Sequence, residues 1–293
     1  MRCILLLLLL AALAASPARA GEPVLTITMG GTTAQVSRSE LLARRDAATV
    51  SVPHDSAYGR PMTYRAVPLR ALLAERPPSA ADTIAARAMD GFVSHLPRSL
   101  IDGAAVPWVA IEEPAHPWPN LPGQSVSAGP FYLIWQHPER GHVSSEQWPY
   151  ALAGFAEAAT PAQRWPGLAV DALEPADAPA RRGQAVFAVN CLPCHRLAGS
   201  GEGVAGPDLL QPMPAVTYFT AAGLRALIRN PAAVRTWPAQ RMPGFAADVV
   251  SDTDLDAVIA YLRAQATRSA ASGAASHPTE PANGKNLSDQ TTR

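Results

Sequence analysis

Apolar positions change rhythm along this chain: they alternate or bunch in short runs through the first half and take helical spacing in the last third. The period of two predicts strands at Val24–Met29, Ala48–Val52, Met62–Val67, Thr83–Met89, Phe92–His95, Trp108–Ile111 and Phe131–Gln136. Ser39–Arg44 and Leu69–Glu75 read as short helices, the second opened by Pro68. Asp90-Gly91 between two short apolar runs is a hairpin signal, and prolines crowd residues 107–149, which predicts ordered loop. Residues 21–165 are therefore expected to form an α+β domain with a mixed sheet.

Further along, Ala180–Val189 and Leu224–Arg229 carry helical patterns, the second stopped by Asn230-Pro231. Ser251 is placed to cap a last helix over Asp252–Ala266, with acids at 252, 254 and 256 where the helix dipole favours them. Leu255, Val258, Ile259 and Leu262 make its apolar stripe. Residues 179–266 thus read as an all-α domain. Residues 166–178, rich in Pro, Ala, Asp and Glu, read as a semi-rigid linker. Residues 267–293, small and polar without an aromatic, are expected to be a disordered tail.

The first twenty residues change the cellular picture. Arg2 precedes an apolar run from Ile4 to Leu13, and Ala18-Arg19-Ala20 offers a small-x-small cleavage site, so residues 1–20 are expected to be a signal peptide. About ten apolar residues are too few for a span that needs roughly twenty. A periplasmic or otherwise exported protein is expected, with no transmembrane segment after signal removal.

Net charge is zero but unevenly spread. Residues 21–178 hold 11 Arg against 16 Asp and Glu, a balance of −5, whereas residues 179–266 hold 8 Arg against 6 acids, a balance of +2. No strongly basic face marks a nucleic-acid binder.

After the signal, the remaining cysteines are Cys191 and Cys194, in Cys191-Leu192-Pro193-Cys194-His195. This is the C-x-x-C-H signature of covalent haem attachment. Two thiols on one turn reach the two vinyl groups on one porphyrin edge, and His195 then lies beneath the iron. A thioredoxin-like pair lacks its βαβ surroundings here, and a zinc site lacks a second ligand pair; a lone disulfide leaves His195 unexplained. One covalent haem c is expected.

The second axial position has two methionine candidates, Met242 and Met213. Met242 sits in Arg241-Met242-Pro243-Gly244-Phe245, a loop whose Pro and Gly exclude helix, ahead of the last helix. Met213 lies between two prolines only 18 residues after His195, too little chain to wrap the opposite haem face. Met242 is the expected ligand. With His195 and Met242 both on the iron no position stays open for oxygen chemistry, and no catalytic residue is assigned. Electrons are expected to pass at an exposed haem edge near the thioethers, through transient contacts with redox protein partners.

Several pieces beyond the haem motif resemble a class I cytochrome c domain: Gly206-Pro207-Asp208-Leu209, Asn230-Pro231, Trp237, Met242-Pro243, and Ala260-Tyr261-Leu262 in the last helix. The resemblance implies that the first and last helices cross closely through Gly183, Phe187 and Tyr261. It also implies that the Pro207 carbonyl accepts a hydrogen bond from the His195 nitrogen turned away from iron, and that Trp237 lies near a haem propionate, although a tryptophan there could equally be plain core.

The first domain resembles the molybdopterin-binding fold of sulfite-oxidase-type enzymes. The matching segments are Tyr64-Arg65-Ala66-Val67-Pro68-Leu69 with Leu72-Leu73, Ala88-Met89-Asp90-Gly91-Phe92, and Gly129-Pro130-Phe131-Tyr132-Leu133-Ile134-Trp135. Those enzymes ligate molybdenum through a cysteine, and residues 21–190 contain none. The resemblance therefore implies a scaffold or docking module that has lost the metal, with a molybdopterin oxidoreductase or its subunit as the alternative. Arg60, Arg65, Arg70 and Arg98 are too dispersed to cradle a pterin phosphate. His54, His95, His116, His137 and His142 show no metal-ligand spacing beyond the pair flanking a polar turn at 138–141. Trp108, Trp118, Trp135 and Trp148 are expected to be core.

Overall fold

A computed structural model describes residues 21–77, 80–170, 174–238 and 240–275. The proposed signal segment lies outside them, as do residues 171–173 of the linker and 276–293 of the tail. The N-terminal region carries β1 (Val24–Met29), β2 (Thr32–Ser37), α1 (Arg38–Leu42), β3 (Ala48–Val52), β4 (Met62–Pro68), α2 (Leu69–Ala74), β5 (Thr83–Ala88) and β6 (Val93–Pro97). It continues through α3 (Arg98–Ile101), β7 (Val106–Ile111), β8 (Phe131–Gln136), β9 (Leu152–Ala158) and α4 (Pro161–Arg164). The C-terminal region is helical: α5 (Pro179–Asn190), α6 (Ala215–Tyr218), α7 (Ala221–Arg229), α8 (Pro231–Val234) and α9 (Asp252–Ala275). A sheet-rich N-terminal domain followed by a helical C-terminal one is the observed layout.

Two sheets build the first domain. One runs β2-β1-β9-β5-β6, with β1 and β9 parallel and its other pairs antiparallel; the other runs β3-β4-β7-β8 and is antiparallel throughout. The sequence led us to expect one mixed sheet; the five-stranded sheet is mixed, and a second, antiparallel sheet stands beside it. Strand β8 has no outward face: Phe131, Tyr132, Leu133, Ile134 and Trp135 are all fully buried, which is why it reads as an unbroken apolar run. Trp135 and Trp148 are buried core, and Trp108 and Trp118 pack partly buried against it.

The apolar interior closes around one carboxylate. Asp55 is 2 % exposed and accepts hydrogen bonds from Tyr64 Oη (2.8 Å), Tyr132 Oη (3.3 Å) and the backbone N–H groups of Ala57 (3.0 Å) and Tyr58 (2.9 Å). Four donors supply what water no longer can, so the buried polar group is satisfied.

Three expectations need correction. Strands β2 and β9 were not apparent, because Thr32–Ser37 is a polar edge and Leu152–Ala158 is built from small residues; pairing with β1 and β5 makes them strands. The last helix does not stop at Ala266 but runs to Ala275, so residues 267–275 are ordered helix. The linker is not merely a spacer. Leu168 (2 % exposed) and Val170 (7 %) enter the helical core, and Tyr261 Oη donates to the Leu168 carbonyl at 2.6 Å.

The helical domain is organised by the crossing of α5 over α9. Phe187 and Tyr261 meet with ring centroids 5.3 Å apart, and Gly183 lies so close to α9 that a Cβ there would run into the Ala257 carbonyl oxygen. The two domains are joined by more than the chain. Arg87 and Arg164 of the first domain both pair with Glu202 of the second, and Gln147 Nε2 donates to Val189 O at 2.9 Å. A cavity of about 420 Å3 lies between them, lined among others by Thr83, His95, Pro161, Phe187 and Tyr261.

Two predictions follow from this packing. In an exposed helix Gly→Ala stabilises by up to about 1 kcal/mol, but Gly183→Ala is expected to destabilise the haem-loaded chain by about 1–3 kcal/mol through overpacking, measured by denaturant unfolding. An unchanged or raised midpoint contradicts the close crossing. His95 is 3 % exposed, edge-on to Trp165, and burial, reinforced by Arg164 and Arg87 against Glu202, pushes its pKa down to about 4. The folded state keeps it neutral while the unfolded chain binds a proton below about pH 6.5. Its contribution is therefore present above that pH and lost as pH falls towards 4, by up to about 3 kcal/mol. His95→Gln should flatten the acid limb of a stability-against-pH curve relative to wild type, and parallel curves would refute the assignment.

Candidate functional site

The site grows from the end of α5. Helix α5 ends on Cys191, whose N–H donates to Phe187 O at 2.9 Å, and a further turn follows in which Cys194 N and His195 N both donate to Cys191 O (3.2 and 2.9 Å). Three backbone bonds thus bring both thiols and the imidazole onto one rigid turn. Leu192, fully buried, pins that turn into the helical core.

His195 is oriented from the opposite side. Its Nδ1 lies 2.8 Å from Pro207 O. A carbonyl can only accept, so Nδ1 carries the proton and the Nε2 lone pair stays free. Burial lowers the His195 pKa against the opposing pull of the Pro207 bond and Asp208, which favours the neutral ring. The loop carrying Pro207 is stapled by Asp208. Its Oδ1 accepts from Ala198, Leu210 and Gln211 N–H groups and its Oδ2 from Gly199. Burial works to raise the Asp208 pKa, but these four bonds outweigh it and hold the carboxyl below its usual range. Gly206 is where the loop passes the imidazole, and a Cβ there would strike the His195 ring. The space beside the ring is thus a cradle that only glycine leaves open.

Met242 is half-buried against the helical core. Its loop is tied to α7 by Phe245 N donating to Ile228 O at 3.0 Å and by Arg229, whose guanidinium reaches Phe245 O, Val250 O and Asp252 Oδ1. Met213 is 54 % exposed. Trp237 is 43 % exposed with Arg235 over its ring at 5.1 Å, so it is not core. The structure therefore gathers Cys191, Cys194, His195 and Pro207 into one unit, ties the Met242 loop to the same helical core, and leaves Trp237 on a surface loop.

Those groups fit a covalently bound haem. Burial first, and Glu146 second, push the free Cys191 thiol up to about 12, and the same two causes raise Cys194, so neither sulfur rests as a thiolate. Among the described residues no group of three His, Cys, Asp or Glu side chains is placed to hold a metal ion, which leaves the thiol pair without the complement a zinc site needs.

The sequence reading did not reach the contribution of the first domain. A turn at Ser144–Gln147, closed by a capping box between Ser144 and Gln147, is packed against the cysteine turn. It brings the Glu146 carboxyl, 8 % exposed, to 3.3 Å from Cys194 Sγ. On this side the partly buried Cys194 sulfur meets the N-terminal domain. The Ser-x-x-Gln spacing signals the turn, but nothing in the sequence signals its destination.

No curated protein matches the chain. Residues 180–266, the C-terminal helical region, match the family model described as cytochrome c, a likeness that suggests a haem-based carrier of electrons.

Proposed function

We propose that the protein is an exported, periplasmic single-haem cytochrome that passes single electrons between redox protein partners, its N-terminal domain serving for docking or partner choice. The observation that carries the reading is the Nδ1–H bond from His195 to Pro207, which leaves Nε2 free on the same turn as two thiols. Cys191 and Cys194 would hold haem c through thioethers, His195 Nε2 would take one axial position of the iron and Met242 Sδ the other. When bound, the haem supplies an iron that takes up and releases one electron, and thioether ligation raises its reduction potential. The protein's own part is to fix the imidazole tautomer, exclude water with Leu192 and Phe187, and present a surface to partners. Trp237 is the residue proposed to lie near a propionate.

Export rests on the Arg2, Ile4–Leu13 and Ala18-Arg19-Ala20 pattern. Among the described residues no helix is long and apolar enough to cross a membrane. For the N-terminal domain, the likeness to sulfite-oxidase-type folds is carried by the motifs at 64–73, 88–92 and 129–135. The absence of cysteine from residues 21–190 favours a docking role over molybdenum chemistry.

Two measurements test the reading. The ferric wild-type protein is expected to show the weak long-wavelength sulfur-to-iron band. Met242→Ala should abolish it and lower the midpoint potential by on the order of a tenth of a volt, a fraction of the roughly 0.8 V that axial ligands command. A colourless purified chain, or a sulfur band that survives the substitution, defeats the assignment. Elemental analysis should find one iron per chain and no molybdenum, and stoichiometric molybdenum would replace the docking role with an enzymatic one.

A further inference from the structure

The cytochrome domain is not the sole source of the groups around the proposed haem. Glu146 comes from the first domain, on a turn that is positioned twice over: Trp135 Nε1 donates to Gln147 O at 2.7 Å, and Gln147 Nε2 donates to Val189 O at 2.9 Å, two residues before Cys191. A buried indole on one side and the end of α5 on the other fix where the carboxyl goes. It goes to the Cys194 sulfur, at 3.3 Å.

The surroundings of this carboxyl are sparse. Ser145 Oγ donates to Oε1 at 3.1 Å, the Cys194 thiol meets Oε2, and among the described residues no Arg or Lys pairs with it. The titratable groups that bear on it are the thiols of Cys191 and Cys194. A thioether has no proton to give. Haem attachment therefore removes the Cys194 donor, leaves Glu146 the titratable group of this contact, and puts it against the edge of a redox centre in surroundings of low dielectric, where a charge acts strongly.

We propose that Glu146 is a positioning residue of the haem site, supplied by the N-terminal domain, whose negative charge against the Cys194 sulfur disfavours reduction of the iron. The inference rests on the haem reading above. Its balance is simple: the iron gains one electron from an external donor, and the carboxylate, now less well compensated, binds part of a proton from solvent. Burial raises the Glu146 pKa, Cys194 and Ser145 opposing it, so the proton is exchanged at higher pH than for an exposed glutamate. Potential should fall as pH rises through that interval and level off once the carboxyl is charged in both redox states.

The test is a potentiometric titration of the full haem-loaded chain across pH 5–9, wild type against variants. Glu146→Gln should raise the midpoint potential at the alkaline end and remove the pH slope, while the sulfur-to-iron band stays in place. Glu146→Asp, which keeps the charge, should keep the slope. Ser145→Ala, which removes the hydroxyl donor without touching the charge, should move the sloping interval to higher pH, and it answers the question if Glu146→Gln fails to fold. Gln147→Ala loosens the turn at constant charge and should weaken the slope without abolishing haem binding. Coincident potentials and slopes for wild type, Glu146→Gln and Ser145→Ala overturn the inference while a coloured protein leaves the haem reading intact. A colourless protein overturns both.

Discussion

The approach of α5 to α9 at Gly183 governs what the rest of the molecule can do. A missing side chain lets the two helices touch backbone to backbone, and that contact sets the direction in which α5 ends. Cys191 and Cys194 inherit their positions from it, as does His195. The stapled loop at 196–211 then aims the imidazole, and the Arg229 bonds tie the methionine loop to the same core. Nothing in this assembly depends on a deep pocket. In the proposed reading a covalent tether would replace the enclosure that a domain of this size cannot provide.

What could be read in advance follows the range of the interactions. Strands β1, β3 and β8 carry their pattern within five or six residues and were located to the residue. The five-residue haem motif is equally local, because the chemistry it serves is one turn wide. Strand β9 is a different case: its Leu-Ala-Gly-Phe-Ala-Glu-Ala has little intrinsic preference for sheet, and it lies centrally because β1 and β5 leave a place there. The extension of α9 past Ala266 was hidden by small residues that read as tail, although alanine is a strong helix former once a helix has begun.

Glu146 marks the limit of local reading. It is 48 residues from the cysteine it meets, in a stretch whose prolines announce loop and nothing more. Its meaning arises only when two domains are packed together, as does the burial of His95 and the double pairing of Glu202 with Arg87 and Arg164. Features that belong to an interface have no period and no motif.

The insertion of Leu168 and Val170 into the helical core has a consequence for encounters in solution. A connector that is itself part of one domain cannot let the other swing freely, and the arginine clamp on Glu202 adds to that restraint. The acidic half and the mildly basic half then keep a constant mutual orientation, so the molecule carries a permanent dipole. A charged partner would be turned by that field before the surfaces meet, at separations up to a Debye length of about 8 Å in physiological salt. In the proposed docking role, selection of one redox partner over another would begin in that approach, with the first domain as an electrostatic rudder for the second.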